Sequence, residues 1–122
     1  MKIVNKSLLR AFARPGACEH CHRNCPDGRD PAHVEPRRMG GATRVDSRMN
    51  LCSLCRACHS ASEAGKEPTR AKLWDIVGRR EGVPAAVAKA WVLSVVRLSK
   101  WGQVPDEPKP GRYEAMADEP PF

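Results

Sequence analysis

The clearest periodic pattern of apolar positions lies in the second half of the chain. Over residues 69–82, Leu73, Trp74, Ile76 and Val77 share one helical face, with Pro68 and Thr69 as start signals and Gly82 as a stop. Residues 84–101 follow suit: Pro84 suits a first helical turn, and Val87, Trp91, Val95 and Leu98 recur at steps of three or four. The spacing therefore predicts two amphipathic helices with Trp74 and Trp91 in the core. A shorter helix is predicted from Cys58 to about Ala64, stopped by Gly65, and one or two turns over residues 6–13 before Pro15-Gly16 breaks the chain. Between 26 and 48, Pro26, Asp27-Gly28, Pro31, Pro36 and Gly40-Gly41 exclude a long helix and suit short strands joined by loops. Residues 102–122 hold five prolines and no periodicity, and read as a disordered acidic tail.

Size and charge narrow the class. A chain of 122 residues suits one compact unit with tails and excludes a two-domain enzyme with a buried cleft. With six aromatic residues and eleven prolines, the core is small. The formal charge is +7 and uneven: residues 1–101 carry 19 basic and 9 acidic side chains, residues 102–122 carry 2 and 5. A basic body of this kind attracts polyanions, nucleic acid first and a membrane surface second. The longest apolar run, AWVLSVV at 90–96, is far too short to span a bilayer. The segment MKIVNKSLLRAFARPG lacks the apolar stretch of a secretory signal, so a cytoplasmic location and no membrane partner are expected. Lys2, Lys6, Arg10 and Arg14 recur every fourth residue, a spacing shared by a solvated or phosphate-facing helix and by organelle transit peptides.

Six cysteines then acquire a meaning. In a reducing compartment paired C-x-x-C spacings point to metal, whereas a disulfide framework needs a secreted context and a thioredoxin-type pair needs a βαβ pattern that is absent. Cys18 with Cys21 and Cys55 with Cys58 form two such pairs, 33 residues apart, and supply the four thiolates of a tetrahedral structural Zn2+ site. Cys25 and Cys52 remain as spares, and His20 and His22 lie close enough to Cys21 to replace a thiolate.

Between and after these knuckles the order of motifs is distinctive. The sequence runs CEHC, then DPAHVEPRRMGG, then, seventeen residues after His33, NLCSLCRACH. Over roughly residues 15–65 this resembles the HNH family of ββα-metal nucleases: a zinc knuckle, a strand histidine (His33) before a Gly-Gly turn, Asn50 ahead of Leu51, and a second knuckle running into His59. The resemblance implies a metal-dependent DNA endonuclease of the kind carried by bacteriophages and mobile elements, acting in the host cytoplasm where phage-encoded. In it His33 is the general base, His59 ligates one catalytic divalent ion (Mg2+, Mn2+, Ni2+ or Zn2+), and Asn50 braces the loop between the strands or reaches the metal. The physical reason for such an arrangement can be stated without the family: phosphodiester hydrolysis needs a nucleophilic water, a proton acceptor and positive charge to stabilise the phosphorane and the leaving oxygen, for which a histidine and one divalent ion suffice.

One position departs from the family pattern. Ala32 stands where many members carry a second metal ligand. Two carboxylates are candidates to replace it: Glu63, four residues after His59 on the same helical face, which is preferred, and Asp30, three residues before His33. His59, next to a zinc thiolate, is alternatively a zinc ligand itself. Arg37, Arg38, Arg44, Arg48 and Arg56 crowd the motif and are expected to hold DNA phosphates, with Arg79, Arg80, Arg97 and Lys100 extending the track.

The expected architecture is thus a small α+β protein: a basic N-terminal segment (1–14), a zinc-stabilised ββα-metal (HNH) module (15–66), two helices packing on it (67–101) and the tail (102–122). Two other functions stay open. One is a non-catalytic zinc-stabilised DNA-binding module; the other is a zinc-dependent interaction domain that takes a protein partner through its acidic tail.

Overall fold

A computed structural model describes residues 2–36, 44–98 and 104–110. Arg37, Arg38, the Gly40-Gly41 turn, Lys100 and residues 111–122 lie outside the described residues. The protein is a small α+β one, with four α-helices and three two-stranded sheets among the described residues. Strand β1 (Lys2–Ile3) pairs in parallel with β5 (Arg44–Val45), so the chain's start lies beside the segment that follows the undescribed loop. Strands β2 (Gly16–Ala17) and β3 (Asn24–Cys25) pair antiparallel around the first knuckle. Strands β4 (Asp30–His33) and β6 (Leu51–Leu54) pair antiparallel with Asp30 opposite Leu54 and His33 opposite Leu51.

The helices form for local reasons and stop for local reasons. Helix α1 (Lys6–Phe12) is capped by the Asn5 side chain, which accepts the Leu8 N–H at 3.0 Å. Helix α2 (Arg56–Glu63) follows β6 after one residue, and Cys55 caps it. Helix α3 (Arg70–Glu81) has Thr69 as its cap and ends at Gly82, whose φ of 72° is the left-handed conformation glycine adopts without steric penalty. Helix α4 (Ala85–Leu98) then doubles back on α3. Gly78 permits that turn: a Cβ there would stand 2.7 Å from the Val83 carbonyl oxygen.

Every residue of β6 is buried because both faces of the strand are covered. On one side the Ser53 hydroxyl donates to the Phe12 carbonyl at 2.7 Å, and on the other Cys52 Sγ lies 3.6 Å from the Leu73 carbonyl. The core continues through Trp74, Val77, Trp91, Val92 and Val95, so the two tryptophans predicted as core are core. Each fully buried aliphatic side chain contributes about 1.5–3 kcal/mol, and this small set carries most of the apolar stabilisation. Arg80, partly buried, links the layers: it donates to both carboxylate oxygens of Glu19 in the first knuckle (2.9 and 3.0 Å) and to Glu81 (2.6 Å), while its guanidinium lies 4.9 Å from the Phe12 ring centre.

Residues 104–110, expected within the structureless tail, run against the body. The Trp91 indole N–H donates to the Pro105 carbonyl at 3.0 Å, the Ser47 hydroxyl donates to Glu107 at 3.0 Å, and Pro108 is buried. Among the described residues no helix is long and apolar enough to cross a membrane.

Candidate metal centre and catalytic pocket

The two C-x-x-C pairs converge. The sulfurs of Cys18, Cys21, Cys55 and Cys58 all lie within 4.8 Å of one another, and those of Cys21 and Cys55 are 3.8 Å apart. Four sulfurs about 2.3 Å from one tetrahedral ion stand about 3.8 Å from each other, so the donor set fits a metal ion such as zinc. Each knuckle also aims backbone donors at its first sulfur. Cys18 Sγ accepts the His20 and Cys21 N–H groups at 3.4 and 3.5 Å, and Cys55 Sγ accepts the Cys58 N–H at 3.4 Å. Burial opposes ionisation of Cys18, but these N–H groups outweigh it and bring its thiol down to about 7. Burial, together with hydrogen bonds from the Cys58 S–H to the neighbouring sulfurs, pushes Cys58 up. With a cation between them all four could ionise together, since its charge would offset their mutual repulsion.

The spares resolve clearly. Cys52 is buried away from the cluster, and that burial pushes its thiol up to about 12. Cys25 sits in β3 outside the four-sulfur group. His20 hydrogen-bonds to the cluster instead of joining it, with Nδ1 3.5 Å from Cys58 Sγ, and His22 is an exposed turn residue with φ 63°. His59, one residue past Cys58, is likewise outside the sulfur group.

A second cluster gathers at the ends of β4 and α2, around an open cavity of about 400 Å3 lined by His33, His59, Glu63, Ala32, Pro31 and Arg70. Helix α2 carries His59 and Glu63 on one face, and His59 Nε2 lies 2.8 Å from Glu63 Oε1. That is the separation of a direct hydrogen bond or ion pair between residues four apart on one helical face. The other ring nitrogen, Nδ1, lies 2.9 Å from Asp30 Oδ2, and Arg56 Nε donates to the same oxygen at 2.8 Å. Burial opposes ionisation of Asp30, yet His59 and Arg56 hold its carboxyl below the usual range. Of the two carboxylates weighed for the vacant ligand position at Ala32, Glu63 lines the cavity and Asp30 stands behind the His59 ring, where it orients the ring.

His33 ends β4 and presents Nε2 to Asp46 Oδ1 at 2.7 Å. Asp46 is buried and also accepts the Asn5 N–H at 2.8 Å and Arg44 Nη2 at 2.8 Å. Burial alone would raise its pKa; Arg44, His33 and the Asn5 N–H together bring it down to about 2. Sequence reasoning missed Asp46, which belongs to no motif. The available signal was a lone acid between Arg44 and Arg48.

Asn50 is fully buried and its amide is engaged on both sides. Nδ2 donates to the Val45 and Glu35 carbonyls at 3.0 and 3.2 Å, and Oδ1 accepts the Glu35 N–H at 2.7 Å. These are the bonds of a loop brace, the first of the two roles the resemblance allows. The arginines divide. Arg44 is turned inward onto Asp46, and Arg48 pairs with Glu81 at 3.0 Å. Arg56, with a side chain 83% exposed, remains at the surface beside Asp30. Arg70 lines the cavity. No protein-family model matches the chain, and no curated protein or solved structure matches it either.

Proposed function

We propose that this protein is a metal-dependent DNA endonuclease of the HNH type, a zinc-stabilised ββα-metal module extended by helices α3 and α4. One observation carries the reading: His33 and the His59–Glu63 pair face the same cavity, contributed by an antiparallel strand pair and the helix that follows it. His59 Nε2 and Glu63 would hold a divalent ion, which would supply positive charge to the reacting phosphate and its leaving oxygen. Asp30 keeps the His59 ring turned toward the cavity. His33 takes the proton of the attacking water, and a histidine is suited to that because its ordinary pKa leaves it able to accept a proton near neutral pH. Arg56, exposed beside Asp30, and Arg70, on the cavity's lining, would contact phosphates flanking the scissile one, which would position the duplex without reading its sequence.

A non-catalytic zinc-stabilised DNA-binding module is the second reading, favoured by Ala32 at the ligand position. Incubating the full-length protein with supercoiled plasmid, with and without Mg2+, Mn2+, Ni2+ or Zn2+, separates the two. Metal-dependent conversion to nicked or linear DNA, absent in His33→Ala, is expected. An inactive wild type under every ion that still binds DNA with a steep salt dependence would promote the binding module. Absence of DNA binding even at low salt would leave an interaction domain with a protein partner.

A further inference from the structure

One ring nitrogen of His33 has a fixed partner. Nε2 meets Asp46, whose side chain has no solvent exposure and whose position is fixed from several directions. Its backbone N–H donates to the Ile3 carbonyl at 2.8 Å, directly after the β1–β5 pair, and its carboxylate accepts the Asn5 N–H and two nitrogens of Arg44. A buried carboxylate held this firmly accepts a proton-bearing nitrogen and offers none of its own. We propose that Asp46 is the positioning residue for His33: it fixes the ring in the Nε2–H tautomer, so that Nδ1 is the nitrogen that bears the lone pair. The inference rests on the nuclease reading and deepens it. The proton taken from water ends on Nδ1, the Nε2 proton stays between His33 and Asp46, and the positive ring that results lies against a carboxylate. Asp46 itself gains no proton. A role for the N-terminal strand follows, since β1 and Asn5 contribute two of the contacts that hold Asp46 in place.

The test uses the full-length, zinc-loaded protein and two readouts. In 15N-resolved spectra of the histidine rings, with the His33 signals assigned by their loss in His33→Ala, wild-type His33 should carry its proton on Nε2. In Asp46→Asn, whose amide can offer an N–H to the ring, the proton should move to Nδ1 wholly or in part. Plasmid cleavage by the same variant should lose on the order of 10²- to 10⁴-fold in kcat with little change in KM or zinc content. A wild-type ring protonated on Nδ1 overturns the proposal without any variant, which matters should Asp46→Asn fail to fold. Wild-type kcat in a folded Asp46→Asn beside an inactive His33→Ala overturns the positioning role alone. Full cleavage by His33→Ala overturns the nuclease mechanism on which it rests.

Discussion

The sulfur cluster and the histidine pocket share one short helix, α2, which gives Cys58 to the first and His59 and Glu63 to the second, yet their electrostatics are opposite. Around the four cysteines the protein supplies backbone N–H groups and His20, but among the described residues no lysine or arginine is bonded to those sulfurs. Around the pocket every buried or half-buried acid already has cationic or N–H partners: Asp46 has Arg44, Asn5 and His33, and Asp30 has Arg56 and His59. The first cluster is thus a group of donors that could hold a metal ion, and the second is balanced by the protein's own groups.

The largest effect that tests this contrast is removal of the metal from the cysteines. A structural zinc contributes on the order of 10–16 kcal/mol, against roughly 5–15 kcal/mol of net stability for a domain. A strong chelator, or Cys58→Ser, should abolish the cooperative melt followed by circular dichroism, with zinc content falling in parallel. A metal-free protein that still melts cooperatively would erase the distinction between the clusters.

His33→Ala should act on the other side of it. Cleavage is expected to fall by about 10²- to 10⁴-fold with the zinc retained. The melt should drop only by the roughly 1–3 kcal/mol of a lost hydrogen bond to a buried acid. Collapse of the fold in this variant would show that the pocket is structural too.

Acid provides a third comparison. The Asp46 carboxyl is lowered from 3.8 to about 2, so its stabilising contribution is complete above about pH 4 and is lost as pH falls toward 2. That contribution is worth roughly 2 kcal/mol. Thiolates lose their metal to protons well before that, so unfolding on acidification should coincide with zinc release, read by a colorimetric zinc dye, at a pH above 4. Unfolding confined to pH 2–4 with zinc still bound would move the acid sensitivity to the pocket.

The smallest effect on stability belongs to Glu63, whose side chain is 71% exposed. Glu63→Ala should leave the melt within about 0.5 kcal/mol of wild type. The divalent-ion concentration for half-maximal cleavage should nevertheless rise, and excess ion should restore part of the activity. An unchanged metal titration would remove Glu63 from the site.

What could be read from the sequence was what is local. Thr69 and Gly82 bound α3 because a hydroxyl cap and a left-handed glycine act over a few residues, and the C-x-x-C pairs declare themselves by spacing. Helix α2 begins at Arg56, two residues before the predicted Cys58, because the Cys55 sulfur performs a capping role that sequence rules give to Ser, Thr, Asp or Asn. Non-local features escaped. The β1–β5 pair joins two-residue strands more than forty positions apart, and no periodicity marks so short a strand. Arg44 looked like a phosphate contact from its neighbours in sequence, and its inward turn depends on Asp46 being buried against the chain's beginning. Residues 104–110 have too few apolar groups to announce packing, and they are held by single bonds to Trp91 and Ser47.

Cys55 is at once a candidate metal donor and the first anchor of α2, and this makes the helix a ruler with its zero mark at the sulfur cluster. His59 lies four residues along the scale and Glu63 eight. Insertion of one alanine after Cys58 would leave both knuckles intact yet swing His59 by about 100° and carry it about 1.5 Å along the axis, away from Asp30 and the cavity. Substitutions on the exposed face of this helix are thus cheap in evolution, whereas insertions and deletions between the second knuckle and Glu63 are not. Descendants of this chain should vary in the letters of that segment and hold its length.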